Sequence, residues 1–255
     1  VFSLRGLRVL AGVVLFPTAE YVRHAASVVC AEQLELPVGW EKRWIHGGNL
    51  ANNLNCGIRE NPAQWYWVMG DDHVYHPNTL KRLLAHGCEI IAPVCLMRRF
   101  PFCPVMAEEV DAPSHGKIIR LSLGDLPKRG GLWEVERVGG GGLLIHRNVL
   151  DTLGEPWFEI GQIESDGMGE DIWFCEKARV KGFRVFVDLD TVIGHQAPAW
   201  VIPTRRPTGE WDVEVNVDNL RFYATTETLK QERSVSRMRV RETHPPAYHV
   251  AGAMP

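Results

Sequence analysis

The chain has 255 residues, of which 45% are hydrophobic and 23% are charged, and its formal net charge at pH 7 is −3. This composition is ordinary for a globular protein and supplies enough apolar material for one large α/β domain or two smaller ones. The near balance of 28 basic and 31 acidic residues excludes broad electrostatic binding to nucleic acid or to an anionic membrane surface.

The six cysteines lie far apart along the chain, and no two of them form a CxxC pair. We interpret them as mostly buried thiols in a reducing compartment. The apolar run at residues 7–16 is too short to span a bilayer, and no small-residue cleavage site follows it. We therefore expect a cytoplasmic protein without a transmembrane segment.

The first part of the chain alternates between strand-like and helix-like segments. Apolar or alternating runs predict strands, and apolar residues at helical spacing between them predict helices. The predicted elements are a strand at 9–16, a helix after Thr18, a strand at 40–46, a helix at 49–58, a strand at 65–69, a helix beginning at Pro77, and a strand at 89–95. Such regular alternation is typical of a doubly wound parallel sheet.

Beyond residue 97 the pattern becomes less regular. It predicts two strands of an antiparallel part at 117–123 and 132–138, a strand at 143–145, helices at 148–153 and 172–181, a strand at 183–189 and a helix around 219–233. Four consecutive glycines at 139–142 precede the third of these strands. A flexible linker would use such a run, but its place between two strands favours close approach of the backbone to a ligand.

The strand at 65–69 ends abruptly at Gly70, Asp71, Asp72 and His73. In an open parallel sheet, ligands bind beyond the carboxyl ends of the strands, which is where this acidic pair falls. Carboxylate oxygens there suit Mg²⁺ or Mn²⁺ held against substrate phosphates. The alternative is a solvated turn after a core strand, because Asp and His are ordinary turn residues.

Two further clusters follow the same pattern. Glu170 and Asp171 stand at the start of a predicted helix, and His195 follows the last apolar strand. A site that transfers a group to a hydroxyl needs a carboxylate that is free of the metal and can accept a proton. Both clusters also have structural interpretations, as charges at a helix N-terminus and as a buried, hydrogen-bonded histidine.

The chain resembles a GT-A glycosyltransferase of the broad family 2-like kind found in bacteria and phages. The resemblance is carried by the strand ending in Asp71-Asp72-His73, residues 139–145, Gly169-Glu170-Asp171 and Gly194-His195, and it covers about residues 7–196. It implies an α/β fold of the GT-A type, in which helices flank a Rossmann-like, mostly parallel sheet and a smaller antiparallel part forms the acceptor side.

The resemblance also implies a division of the chain. Residues 1–198 would form the glycosyltransferase domain, with a nucleotide-binding half at about 7–97 and an acceptor half at about 98–198. Residues 199–255 would form a C-terminal extension, through which the protein is able to form oligomers.

In that family the acidic motif holds a divalent cation against the diphosphate of a nucleotide-sugar. Carried over to this chain, the resemblance implies that Asp72 and His195 bind the metal, while Asp71 supports the donor. Asp171 resembles the catalytic base of inverting members, and Glu170 is its neighbour in the same motif.

The nucleotide-sugar would also contact residues from other segments. Pro17 and Thr18, at the end of the first strand, stand where the family places its nucleotide. Asn49 and Asn55 belong to a predicted helix unusually rich in asparagine, where amides either cap the helix or face a ligand. The remaining implied contacts are Gly141 and Gly142 to the donor sugar, and Trp157 to an acceptor sugar, although tryptophan is more often part of a core.

The chain departs from the family pattern at two positions. Gly70 stands where the first acid of an Asp-x-Asp motif is expected, and Leu54 stands where an arginine often contacts the diphosphate. Both departures favour one alternative, a degenerate module that binds a nucleotide-sugar without catalysis. Another is a metal-dependent nucleotidyltransferase, although residues 16–19 lack the glycine-rich, basic loop expected of that class.

We therefore predict a hexosyltransferase-like enzyme that uses Mn²⁺ or Mg²⁺ and a nucleotide-sugar, with a UDP-sugar favoured over a GDP-sugar. The acceptor would be a carbohydrate or another hydroxyl compound. No nucleic-acid partner is expected.

Overall fold

In the computed structural model, the described residues are 9–18, 24–98, 102–110, 117–163, 166–196, 200–217 and 220–225. The strands are β1 (Leu10–Pro17), β2 (Trp40–Ile45), β3 (Ala63–Val68), β4 (His73–Val74), β5 (Ile90–Val94), β6 (Met106–Val110), β7 (Lys117–Arg120), β8 (Leu132–Val135), β9 (Arg137–Val138), β10 (Leu143–His146), β11 (Gly161–Ile163), β12 (Asp166–Met168), β13 (Val185–Val192), β14 (Gly194–Gln196), β15 (Trp200–Arg205), β16 (Trp211–Val217) and β17 (Leu220–Thr225). The helices are α1 (Ala25–Gln33), α2 (Leu50–Glu60), α3 (Thr79–Ala85), α4 (Arg147–Leu153) and α5 (Glu170–Val180), with a short 3₁₀ helix at Leu123–Asp125.

A seven-stranded sheet in the order β2-β1-β3-β10-β5-β13-β8 forms the centre of the fold. β2, β1 and β3 are parallel to one another, as are β5 and β13, whereas β10 and β8 run antiparallel to their neighbours. The expected α/β class with a mostly parallel sheet is confirmed. The sequence did not predict that β10 would lie between β3 and β5, so that both halves of the chain contribute to one sheet.

Apolar side chains cover both faces of this sheet, because successive residues of a strand point to opposite sides. In β1, Val13 and Leu15 belong to one buried cluster, while Val14 and Phe16 belong to the other. Helix α2 packs Leu54 and Ile58 on the first face, and α3 packs Leu80 and Leu83 on the second. The result is a three-layer arrangement that holds the carboxyl ends of β1, β3, β5 and β13 along one edge.

A second sheet, β17-β16-β15-β14-β4, lies beside that edge. Its strands β15, β16 and β17 are joined antiparallel in sequence order. The predicted helix around 219–233 is therefore wrong for residues 220–225, where Phe222 pairs with Val215 in the ladder, and its remaining residues lie outside the described part. The first predicted helix begins at Ala25, and residues 19–23 also lie outside the described part.

All six cysteines are free thiols, and Cys95 and Cys175 are buried. Within the described residues, no helix combines the length and the apolar character needed to cross a membrane.

Candidate active site

A cavity of about 400 Å³ opens beyond the carboxyl ends of the parallel strands. Its lining includes eight of the twelve predicted site residues: Pro17, Thr18, Asp71, Asp72, Gly141, Glu170, Asp171 and His195. These residues come from segments that are far apart along the chain. The fold therefore brings the acidic turn, the glycine run, the start of α5 and the late histidine to one space.

Strand pairing explains how Asp72 and His195 meet, although they are 123 residues apart. β4 and β14 pair antiparallel, and His73 and His195 are direct partners in that register. The backbone N–H of Gln196 also donates to the carbonyl oxygen of Asp72 at 2.7 Å. Side chains of directly opposed residues lie close together in such a ladder, so the pairing sets the geometry of this end of the cavity.

Asp72 is surrounded by positively charged or protonatable groups. Its Oδ2 lies 3.1 Å from Nε2 of His195 and accepts a hydrogen bond of 2.8 Å from Nη1 of Arg98. Its Oδ1 lies 2.9 Å from Nδ1 of His73. Burial acts to raise the pKa of Asp72, but the imidazoles of His195 and His73 outweigh it and hold that pKa well below its usual range. The carboxylate is therefore ionised at neutral pH.

His195 is oriented by the backbone as well as by Asp72. Its Nδ1 lies 2.9 Å from the carbonyl oxygen of Leu96, and because a carbonyl only accepts, Nδ1 carries the proton. When the ring is neutral, Nε2 therefore presents a lone pair toward Asp72. Burial acts to lower the pKa of His195, but Asp72 and Cys95 outweigh it and raise that pKa to about 10.

His73 is held between two glycines. A Cβ at Gly70 would lie 2.6 Å from Nδ1 of His73, and a Cβ at Gly141 would lie 2.5 Å from its Nε2. The ring also stacks on that of His195, with centroids 4.4 Å apart and an angle of 18° between the planes. Gly70, the departure from the Asp-x-Asp pattern, is thus the residue that leaves room for His73, because a side chain there would overlap the imidazole.

Cys95 follows β5 directly and completes the same cluster. The thiol is buried, and its Sγ and one nitrogen each of His73 and His195 all lie within 4.8 Å of one another. Burial acts to raise the pKa of the Cys95 thiol, but His195 and His73 outweigh it and lower that pKa to about 7. We call Asp72, His73, Cys95 and His195 the cation pole of the cavity.

Glu170 and Asp171, in the first turn of α5, form what we call the carboxylate pole. Oδ2 of Asp171 accepts from the N–H of Gly140 at 2.8 Å, and Oδ1 accepts from the N–H of Ile172 at 2.7 Å. These bonds fix the carboxylate in the cavity wall, where the helix dipole also favours negative charge. Burial, and then the charge of Asp171, raise the pKa of Glu170.

Four of the predicted contacts do not line the cavity. Asn49 caps α2 by accepting from the N–H of Asn52. Oδ1 of Asn55 accepts from the N–H groups of Trp157 and Phe158, and its Nδ2 donates to the carbonyl oxygen of Phe158. The amide that was expected to face a donor therefore fixes a buried loop.

Trp157 and Gly142 are likewise structural. Trp157 is only 7% exposed, and its indole N–H donates to the carbonyl oxygen of Leu150, so it has no face available to an acceptor sugar. The N–H of Gly142 bonds to Val68, and its carbonyl oxygen accepts from the indole of Trp67.

His73, Cys95 and Arg98 line the cavity as well, although the sequence pattern alone assigns none of them a role in the site. A histidine after an acidic pair is an ordinary turn residue, and Cys95 is one of six thiols interpreted as mostly buried. One signal was present: Cys95 directly follows a strand that ends at the same edge as the strand before Asp72. The pairing of β4 with β14, however, has no local signature, because β4 is only two residues long.

The donor set of the cation pole fits a divalent cation. The Nδ1–Leu96 bond leaves Nε2 of His195 as a possible ligand beside Asp72 Oδ2, and such a backbone contact is the usual way to orient a ligating histidine. Asp72 and His195 would hold the cation.

No protein-family model and no curated protein sequence matches the chain. Among solved structures, the crystal structure of A197 from STIV is similar with a TM-score of 0.49 and 12% identity, over 82% of this chain and 95% of that one. The crystal structure of GalNAc-T7 with UDP, GalNAc and Mn²⁺ is similar with a TM-score of 0.51 and 11% identity, over 73% of this chain and 44% of that one.

The chain has a GT-A-like fold. At this level of identity the likeness to GalNAc-T7 shows the fold alone, and the matched part is less than half of that protein. In the GT-A-like fold described above, the cation pole and the carboxylate pole lie in the crevice where open α/β sheets bind their ligands.

Proposed function

We propose that this protein is a metal-dependent glycosyltransferase that moves a sugar from a nucleotide-sugar to an acceptor hydroxyl with inversion. The observation that carries the proposal is that Asp72, His195 and Asp171 line the same cavity. Glycosyl transfer from such a donor needs both a site for the diphosphate and a separate base for the acceptor.

The cation pole serves the leaving group. A divalent cation bound by Asp72 and His195 would act as a Lewis acid on the departing diphosphate. Pro17, Thr18 and Asp71 line the neighbouring wall and would contact the nucleoside and the sugar. In this proposal the half at about residues 7–97 supplies most of the donor side, and a UDP-sugar is favoured, in keeping with the UDP in the GalNAc-T7 structure.

The carboxylate pole serves the acceptor. Asp171 would accept the proton of the attacking hydroxyl, since two backbone N–H groups hold its carboxylate in place while it lines the cavity. Glu170, whose pKa is raised, is the second candidate for this role. The backbone at Gly140 and Gly141, without side chains, leaves space for the donor sugar between the two poles.

Isothermal titration calorimetry with UDP and GDP, each with and without Mn²⁺, tests the donor side. We expect binding of UDP that requires Mn²⁺ and is lost in Asp72→Asn. Asp151→Asn is the matched control, because Asp151 is an exposed carboxylate on α4 that pairs with Arg147. Binding without metal, or no binding, would favour the degenerate module instead.

Product analysis separates the remaining alternatives. The anomeric configuration of the transferred sugar, determined by NMR, is expected to be opposite to that of the donor. Retention would contradict the role of Asp171 as a base. Release of pyrophosphate from a nucleoside triphosphate would indicate a nucleotidyltransferase.

A further inference from the structure

We propose that the cation pole selects a thiophilic divalent cation, Zn²⁺ above all, through Cys95, His73 and His195, which leaves a fourth coordination position for the diphosphate. This goes beyond a site for Mn²⁺ or Mg²⁺ at Asp72 and His195. Only the role of the cation in catalysis rests on the proposed function, because binding of the metal itself is measurable without any nucleotide-sugar.

The chemistry of the donor set is the first support. Mg²⁺ and Mn²⁺ are held mainly by oxygen, whereas thiolate and imidazole ligands are typical of Zn²⁺. Here one sulfur atom and two imidazole nitrogens lie within 4.8 Å of one another, beside the carboxylate of Asp72. One thiolate and two imidazoles are a suitable set of three protein ligands for a zinc ion whose fourth position is open to a substrate.

An unsatisfied buried atom is the second support. His73 is 6% exposed, and its Nδ1 lies 2.9 Å from Oδ1 of Asp72 in an ion contact that does not meet hydrogen-bond geometry. Buried polar nitrogens are rarely left without a partner. The ring has no room to turn away, because Gly70 and Gly141 enclose it, so a cation between the ligands is the partner that this site accommodates.

The backbone around the cluster is already fixed. Leu96, next to Cys95, accepts from Nδ1 of His195, and the carbonyl oxygen of Cys95 accepts from the N–H of Val105 at 2.9 Å. His73 and His195 are tied together by the register of β4 and β14. Closing the cluster around zinc therefore requires side-chain shifts of about 1 Å, given Zn–N and Zn–S bonds of roughly 2.0–2.3 Å, and no rearrangement of the strands.

In the proposed enzyme, Cys95 would thus determine which cation meets the diphosphate. The test uses Co²⁺ as an optical substitute for Zn²⁺, because only a thiolate ligand gives the near-ultraviolet sulfur-to-cobalt charge-transfer band. Metal-free protein is titrated with CoCl₂ and then with ZnCl₂. We expect the band to appear with one equivalent of Co²⁺ and to disappear when Zn²⁺ displaces it.

Cys95→Ser is the decisive variant, and Cys88→Ser is its matched control, because Cys88 lies on the surface loop after α3 and outside the cavity. We expect Cys95→Ser to lose the band. Its affinity for Zn²⁺ should fall by more than roughly 10-fold, which is the loss expected when only an outer-shell partner of a metal ligand is removed. Cys88→Ser should keep both properties. Circular dichroism verifies that each variant is folded.

Absence of the band in the wild-type protein, or an equal band in Cys95→Ser, would overturn the zinc site. Such a result would leave the glycosyltransferase proposal standing if UDP still binds with Mn²⁺. A cobalt band together with no binding of any nucleoside diphosphate would instead support the zinc site and contradict the glycosyltransferase.

Discussion

The two poles of the cavity are built in different ways. The cation pole joins residues that follow or belong to four strands, β3, β4, β5 and β14, and its key contact links Asp72 and His195 across 123 positions. The carboxylate pole is more local, since Glu170 and Asp171 are neighbours at the start of α5, and Gly140 donates a hydrogen bond to Asp171 from the preceding glycine run. The first depends on the tertiary fold, and the second depends mainly on one helix terminus.

This difference predicts how each pole responds to substitution. At the cation pole, Asp72 contacts His73, His195 and Arg98, so a change there alters a network and affects binding. At the carboxylate pole, a single side chain held by backbone N–H groups would perform the proton transfer, so a change there should affect the rate alone.

The largest expected effect is that of Asp171→Asn. Loss of a general base typically lowers the rate by roughly 10²–10⁴-fold, while binding of UDP with Mn²⁺ should stay within error of the wild type. Transfer assays and calorimetry on the same preparation measure the two quantities.

Asp151→Asn is the neutral control for this variant, and Glu170→Gln shows whether the neighbouring carboxylate is the base instead. If Asp171→Asn lost transfer and nucleotide binding to the same extent, the claim that the carboxylate pole affects only the rate would be contradicted.

Asn55→Ala tests a residue that belongs to neither pole. The variant leaves the buried N–H groups of Trp157 and Phe158 without their acceptor, so we expect the free energy of unfolding to fall by about 2–3 kcal/mol. Affinity for UDP with Mn²⁺ should not change. Urea denaturation measures the free energy of unfolding, and Asn52→Ala, on the exposed side of α2, is the control. If the folded Asn55→Ala variant bound the nucleotide more weakly, Asn55 would belong to the donor site after all.

Cation binding at the cation pole should strengthen as the pH rises. The raised pKa of His195, about 10, means that the metal-free ring is protonated at neutral pH, so the cation must displace a proton. Affinity then increases by about tenfold per pH unit for each proton released, until the pH reaches that pKa.

Titration of Mn²⁺ at pH 6, 7 and 8, in two buffers of different ionisation enthalpy, counts the protons. An affinity that is independent of pH would mean that His195 is not a ligand. The carboxylate pole, in contrast, should contribute nothing to this dependence.

Arg98→Ala should have the smallest effect. Arg98 is 57% exposed at its side chain and bonds to the Asp72 oxygen that faces His195, so it competes with a cation for that oxygen. Without nucleotide, the variant should bind Mn²⁺ roughly two- to fivefold more tightly, the scale of one exposed ion pair. The control is Arg59→Ala, which removes an exposed arginine paired with Glu155. Weaker binding of Mn²⁺ by Arg98→Ala would show instead that Arg98 assists binding of the cation.

The sequence predicts individual strands and helices better than it predicts which strands pair with one another. The strand before Asp71 and the helix after Asp171 follow from hydrophobic periodicity, and the carboxylate pole lies where that helix begins. Periodicity carries no information on which strands become neighbours, so the insertion of β10 into the sheet and the meeting of β4 with β14 could not be foreseen.

The same limit explains why the surroundings of single residues could not be foreseen. Asn55 and Trp157 have the residue types of a ligand site, but their partners lie about a hundred positions away and satisfy them inside the core. His73 looks like a turn residue until Gly141 and His195 close around it.

A crystal structure of the protein soaked with UDP and Mn²⁺, with anomalous diffraction data for manganese, tests the two-pole site most directly. We predict one strong anomalous peak between Asp72 and His195, with the diphosphate bound to it and the carboxylate of Asp171 facing the distal phosphate across the cavity. A manganese peak away from Asp72, or a nucleotide bound outside this cavity, would contradict the proposed site.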